Sequence, residues 1–76
     1  MVMTARVFDV IGYADDELLP PESWRFDTVE QAARFARYLH RRQPRVDVFA
    51  RLLGETGLVE RSQIVAKLGG PQPTLH

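Results

Sequence analysis

The sequence has no cysteine, which excludes disulfide staples, thiolate zinc sites and thiol nucleophiles together. It has two histidines, His40 and the terminal His76, too few for a histidine-built metal site. No apolar run approaches the ~20 residues of a membrane span, and the first residues, Met-Val-Met-Thr-Ala-Arg, lack a signal-peptide apolar core. A cytoplasmic location is therefore expected. An excess of one charge is also missing: ten basic and ten acidic side chains cancel at neutral pH. A dedicated polyanion binder would be strongly basic overall. Lysine is nearly absent, since nine of the ten basic residues are arginine. That bias fits a GC-rich bacterial or phage genome and carries no functional signal.

What is present is a chain of 76 residues with 45% hydrophobic side chains. This is enough for one folded domain and too apolar for a disordered chain. Below about 80 residues the core is thin, and such chains add a staple, a metal or a partner subunit. With the first two excluded, self-association is the expected source of added stability. No cofactor is expected. The domain is expected to fill residues 1–68, with a flexible tail over 69–76 that holds two Gly and two Pro.

Residues 5–13 are rich in β-branched and aromatic side chains and predict a strand. Val7, Ile11 and Tyr13 would share one face, and Phe8 and Val10 the other. Residues 14–22 hold a Pro-Pro pair and predict a loop, with room for one helical turn at 15–19. Trp24 and Phe26 alternate with Ser23 and Arg25, which fits a short strand pairing back onto the first. Asp27-Thr-Val-Glu30 reads as a capping box with Asp27 as the N-cap. The helix should run from Thr28 to about Gln43, where Pro44 stops it. Val29, Ala32, Phe35, Ala36 and Leu39 form its apolar arc, and small Ala32 and Ala36 would allow close approach to a sheet.

Residues 46–53 alternate as Val46/Val48/Ala50/Leu52 against Asp47/Phe49/Arg51/Leu53 and predict another strand. Gly54-Glu-Thr-Gly57 fits a four-residue hairpin loop, with a return strand over 58–65. An opposing reading makes residues 60–68 a helix ended by Gly69-Gly70-Pro71. That version would allow a helix-turn-helix-like domain built from 46–53 and 60–68. The hairpin is preferred. The expected fold is then α+β, in β-α-β-β order. A three- to four-stranded antiparallel sheet carries one main amphipathic helix on one face.

The neutral total hides a segregated charge. Residues 1–30 hold seven acids and two bases, a net of −5. Residues 31–54 hold six bases and one acid, a net of +5. Arg34, Arg37 and Arg41 form a stripe on one side of the helix. They could meet an anionic or acidic partner, since the guanidinium fork fits phosphate and carboxylate. They could equally be a solvated face. Asp15, Asp16 and Glu17 lack the alternating spacing of a calcium loop, and no metal is expected there. His40, Ser23 and Ser62 have no surroundings that make a nucleophile or a base. Gly54-Glu-Thr-Gly57 is too short to cradle phosphate. The chain is not expected to be an enzyme.

The two-faced strands give a sharper expectation. One helix covers one face of such a sheet, yet apolar side chains lie on both faces. A second subunit or partner should cover the other. Trp24, after the Pro-Pro loop, and Phe49 are the candidates for apolar contact.

Trp24 to Phe26, the run Asp27-Thr-Val-Glu-Gln-Ala-Ala-Arg-Phe-Ala36 and the Gly54 to Gly57 hairpin resemble small bacterial and phage βαββ domains of unknown function. Some phage-encoded inhibitors of bacterial defence systems are similar in size and layout. The resemblance implies a protein-binding or nucleic-acid-mimicking role, with no catalytic residues. The leading expectation is a homodimeric protein-interaction module using Trp24, Arg34, Arg37, Arg41 and Phe49. The alternative is a nucleic-acid-binding domain that uses the arginine stripe.

Overall fold

The β-branched run at the start of the chain forms strand β1 over Ala5–Tyr13. The computed structural model describes residues 4–16 and 18–69. The other elements are β2 (Glu22–Phe26), α1 (Val29–His40), β3 (Arg45–Leu53) and β4 (Val59–Gly69). All strands pair antiparallel in one open sheet of order β2-β1-β3-β4. The fold is α+β, with helix α1 on one face. Among the described residues no helix is long and apolar enough to cross a membrane.

Short Trp24 and Phe26 do form a strand, which pairs with β1 through Val10↔Trp24 and Phe8↔Phe26. In the 15–19 segment Asp16 closes a turn, its backbone oxygen accepting from Leu19 N at 3.0 Å and its carboxylate from Leu18 N at 2.9 Å. Helix α1 starts one residue later than the sequence predicts. Thr28, in extended conformation, is the N-cap, and its Oγ1 accepts from Gln31 N at 3.2 Å. The sequence holds two overlapping capping-box patterns, Asp27…Glu30 and Thr28…Gln31, and the cap forms at Thr28 of the second. The helix also ends earlier, at His40. Arg42 N and Gln43 N both donate to Leu39 O, which closes the last turn before Pro44 can oppose it.

Antiparallel partners share a face, so the register reads out both faces. Under the helix lie the rows Gly12–Val46–Leu68, Trp24–Val10–Val48–Ala66 and Phe26–Phe8–Ala50–Gln63. Val10, Val46 and Val48 are buried here against Ala32, Ala36 and Leu39. The alanines permit this close approach, since both are almost wholly buried. Phe35 packs on Trp24 and Phe26 at 4.9 and 5.2 Å between ring centres and closes the β2 side. Gly12 sits where the helix end crosses, and a Cβ there would lie 2.7 Å from Leu39 Cδ2.

The C-terminal third is a strand, so the helical alternative and its helix-turn-helix domain are not formed. The β3–β4 turn closes through Gly54 N to Leu58 O and Gly57 N to Gly54 O. Gly57 supplies the left-handed residue at φ +80°. A Cβ would meet nothing there. Gly57→Ala is therefore expected to cost only the backbone penalty, about 1–2 kcal/mol, read as a lower urea midpoint. Strand β4 runs to Gly69, so that residue belongs to the sheet and not to the expected tail. Residues 70–76 lie outside the described residues.

Candidate interaction surfaces

The fourth row on the helix side is Arg6–Leu52–Arg61, contributed by β1, β3 and β4. The helix does not reach it. Val29, the first helical residue, stands at the margin and is 42% exposed, although it was expected within the buried arc. The result is an open groove of about 760 Å³. Its floor is Phe8, Ala50 and Leu52, its walls are Val29 and Val65, and Arg6 and Arg61 flank it. Neither guanidinium is in an ion pair among the described residues. The groove therefore presents mixed surface, apolar at its floor and polar at Ser62 and Gln63, beside two guanidiniums that have no ion pair among the described residues.

Strand β4 borders this groove as an exposed edge. Ile64 and Val65 are 39% and 45% exposed. Its register slips twice, between Val48 and Phe49 and between Leu52 and Leu53 of β3, which leaves Val65 and Glu60 without partners. Bulges and edge charges such as Arg61 and Lys67 are the devices that keep an edge from indiscriminate pairing. The groove is thus the more specific feature of this end.

Among the described residues no helix or further strand packs on the opposite face of the sheet. Its central feature is Asp9, 4% exposed, held from both sides. Arg25 donates through Nε at 2.8 Å and Nη2 at 3.1 Å. Arg51 donates through Nη1 at 2.8 Å. The Arg25 hydrogen bond is the largest influence on the Asp9 carboxyl and holds it below the usual carboxylate range; burial opposes it, and Arg51 adds to the lowering. The same contact raises the Arg25 guanidinium. Asp47, also buried, accepts from Arg45 at 2.9 Å, while its other oxygen has no partner among the described residues. Arg45 lies 4.5 Å over the Tyr13 ring and Arg51 lies 5.0 Å over Phe49. The apolar second face expected from strand alternation is thus roofed by arginines over two buried carboxylates. Val7, Ile11 and Leu53 remain among them, buried or half-buried.

No protein-family model matches the chain, and no curated protein or solved structure matches it either.

The five residues expected to meet a partner fall on three surfaces. Trp24 lies on the helix side at the β2 edge, 36% exposed, with its ring against Phe35. Arg34, Arg37 and Arg41 are exposed on and just after the helix, outside any ion pair among the described residues. Phe49 is half-buried on the open sheet face, beneath Arg51. The sequence reading did not single out Arg6 and Arg61, nor the buried Asp9 and Asp47. A usable signal existed for the carboxylates: each Asp sits inside a β-branched run, Val-Phe-Asp-Val-Ile and Val-Asp-Val-Phe. A charge at such a position must be paired. Ser62 Oγ accepts from Arg51 Nε on the open face, across the sheet from the helix that carries His40. Among the described residues no three His, Asp or Glu side chains come together as metal ligands.

Proposed function

We propose that the protein is a non-enzymatic protein-interaction module whose contact site is the groove at the Arg6 end of the sheet. The observation that supports this reading is the apolar floor of Phe8, Ala50 and Leu52 beside Arg6 and Arg61, neither of which is in an ion pair among the described residues. Such a site suits an apolar side chain flanked by carboxylates: burial supplies affinity and the cations supply orientation. Val65→Glu tests it, because a glutamate at this half-exposed bulge would fill the groove and neutralise its cations. Capture of partner from nuclease-treated bacterial lysate by the tagged protein is expected to fall at least about tenfold with this variant. Undiminished capture overturns the reading.

A second reading, nucleic-acid binding, is favoured by the exposed stripe Arg34, Arg37 and Arg41, which has no ion pair among the described residues. It predicts binding that nuclease removes, that falls steeply with salt through counterion release, and that Arg37→Glu/Arg41→Glu abolishes. Groove recognition predicts capture that survives both nuclease and the double reversal.

A further inference from the structure

The loop between β1 and β2 has the chemistry that the groove lacks. It is acidic, with Asp15 and Asp16 both exposed. Two positions after Asp16, Leu18 is 90% exposed, and Leu19 beside it is 56% exposed. Two adjacent leucines held out in water beside carboxylates form an apolar knob with an acidic shoulder. The Asp16 turn, closed by Leu19 N and Leu18 N, holds the knob outward.

A chain cannot insert this loop into its own groove. The loop follows Tyr13 at one end of β1, whereas the groove lies at Arg6 near the other. Strand rise places these ends roughly 25 Å apart. Two copies running in opposite directions bring each loop beside the other copy's groove. A two-fold axis then makes both contacts at once and closes the assembly. Exposed Asp15 and Asp16 lie at one end of the sheet, and Arg6 and Arg61, outside any ion pair among the described residues, lie at the other.

We infer that the groove receives the Asp15, Asp16, Leu18 and Leu19 loop of a second copy of this chain, in a reciprocal two-fold dimer. This rests on the groove being the contact site, as proposed above. Leu18 or Leu19 covers the Phe8–Leu52 floor, and the carboxylates face Arg6 and Arg61.

A charge swap tests it by sedimentation velocity from micromolar to several hundred micromolar protein. The wild type is expected to dimerise within this range. Arg6→Glu/Arg61→Glu and Asp15→Lys/Asp16→Lys are each expected to weaken self-association by about tenfold or more, through like-charge contacts. All four positions are exposed, and unchanged circular dichroism confirms that each variant folds. Mixed in equal amounts, the two variants are expected to recover a dimer, since each then meets its opposite charge twice. Leu18→Ser/Leu19→Ser is expected to weaken the wild-type dimer without any charge change. A wild type that stays monomeric throughout, variants that dimerise as well as the wild type, or a mixture that does not recombine would each overturn the inference. If the wild type is monomeric but Val65→Glu still abolishes capture from lysate, the self-contact fails and the groove stands. If Val65→Glu leaves capture intact, the groove itself fails.

Discussion

Asp9→Ala is expected to lower the folding free energy by about 2–3 kcal/mol, read as a drop in the urea midpoint. Three charge-assisted hydrogen bonds converge on this carboxylate, two from Arg25 and one from Arg51. Breaking a fully buried ion pair costs about 3–5 kcal/mol, because the surviving charge is stranded. Here the survivors are arginines whose side chains are 49% and 26% exposed, so water recovers part of the loss. A chain of this size has roughly 4–11 kcal/mol of stability in total. The variant should therefore melt on the order of 10–20 °C lower. Its acid response carries a second signature. The Asp9 carboxyl is depressed in the folded state, chiefly by Arg25. A depressed carboxylate stabilises fully above its unfolded pKa of about 3.9. That contribution is lost as pH falls through the lower folded value. The wild type should lose stability below about pH 5. Asp9→Asn should start lower and fall less over the same interval. Equal slopes in urea midpoint against pH would show that the Arg25–Asp9–Arg51 bridge does not carry this linkage.

Why the bridge escaped the sequence while β1 itself did not is a matter of range. A strand over residues 5–13 follows from local preference and from the two-residue alternation, and both are visible without a partner. The pairing of Asp9 depends on its neighbours across the sheet. Arg25 stands opposite it on β2, and Arg51 comes from the next row of β3. Those contacts span 16 and 42 positions and exist only once the register is set. Helix α1 was legible for the same local reason, down to the small Ala32 and Ala36 on the buried side. The C-terminal third was ambiguous because of its two bulges. An extra residue at Glu60 and another at Val65 break the alternation of β4. Ile64, Val65 and Leu68 then fall at i, i+1 and i+4, which imitates a helical arc. The groove was the least visible feature. Arg6, Leu52 and Arg61 share a row only through two strand pairings, and the row is open only because Val29 begins the helix too late to cover it.

Gly69→Ala is expected to cost about 3 kcal/mol, although only one methyl group is added. Gly69 is the last residue of β4 and has φ +73°, where any side chain costs about 1–2 kcal/mol. A Cβ would also press on the Pro44 carbonyl oxygen and lie 2.6 Å from His40 Nε2. The two obstacles differ in kind. His40 is an exposed side chain and can swing away. The Pro44 carbonyl belongs to the link between α1 and β3, and Arg45 immediately after it is paired with Gly69 itself. Moving that carbonyl means moving the start of β3 or parting it from β4. His40→Ala added to Gly69→Ala should therefore restore little, because the backbone contact and the left-handed penalty both remain. Recovery of most of the lost stability in the double variant would place the obstacle at His40 instead. The comparison also bears on the end of the domain. Read as punctuation, Gly69 closes a helix or opens a tail, and alanine would be almost neutral. As the strand residue beneath the α1–β3 link, it is a point where the sheet and the helix connection meet, and a methyl group there should be felt across the whole fold.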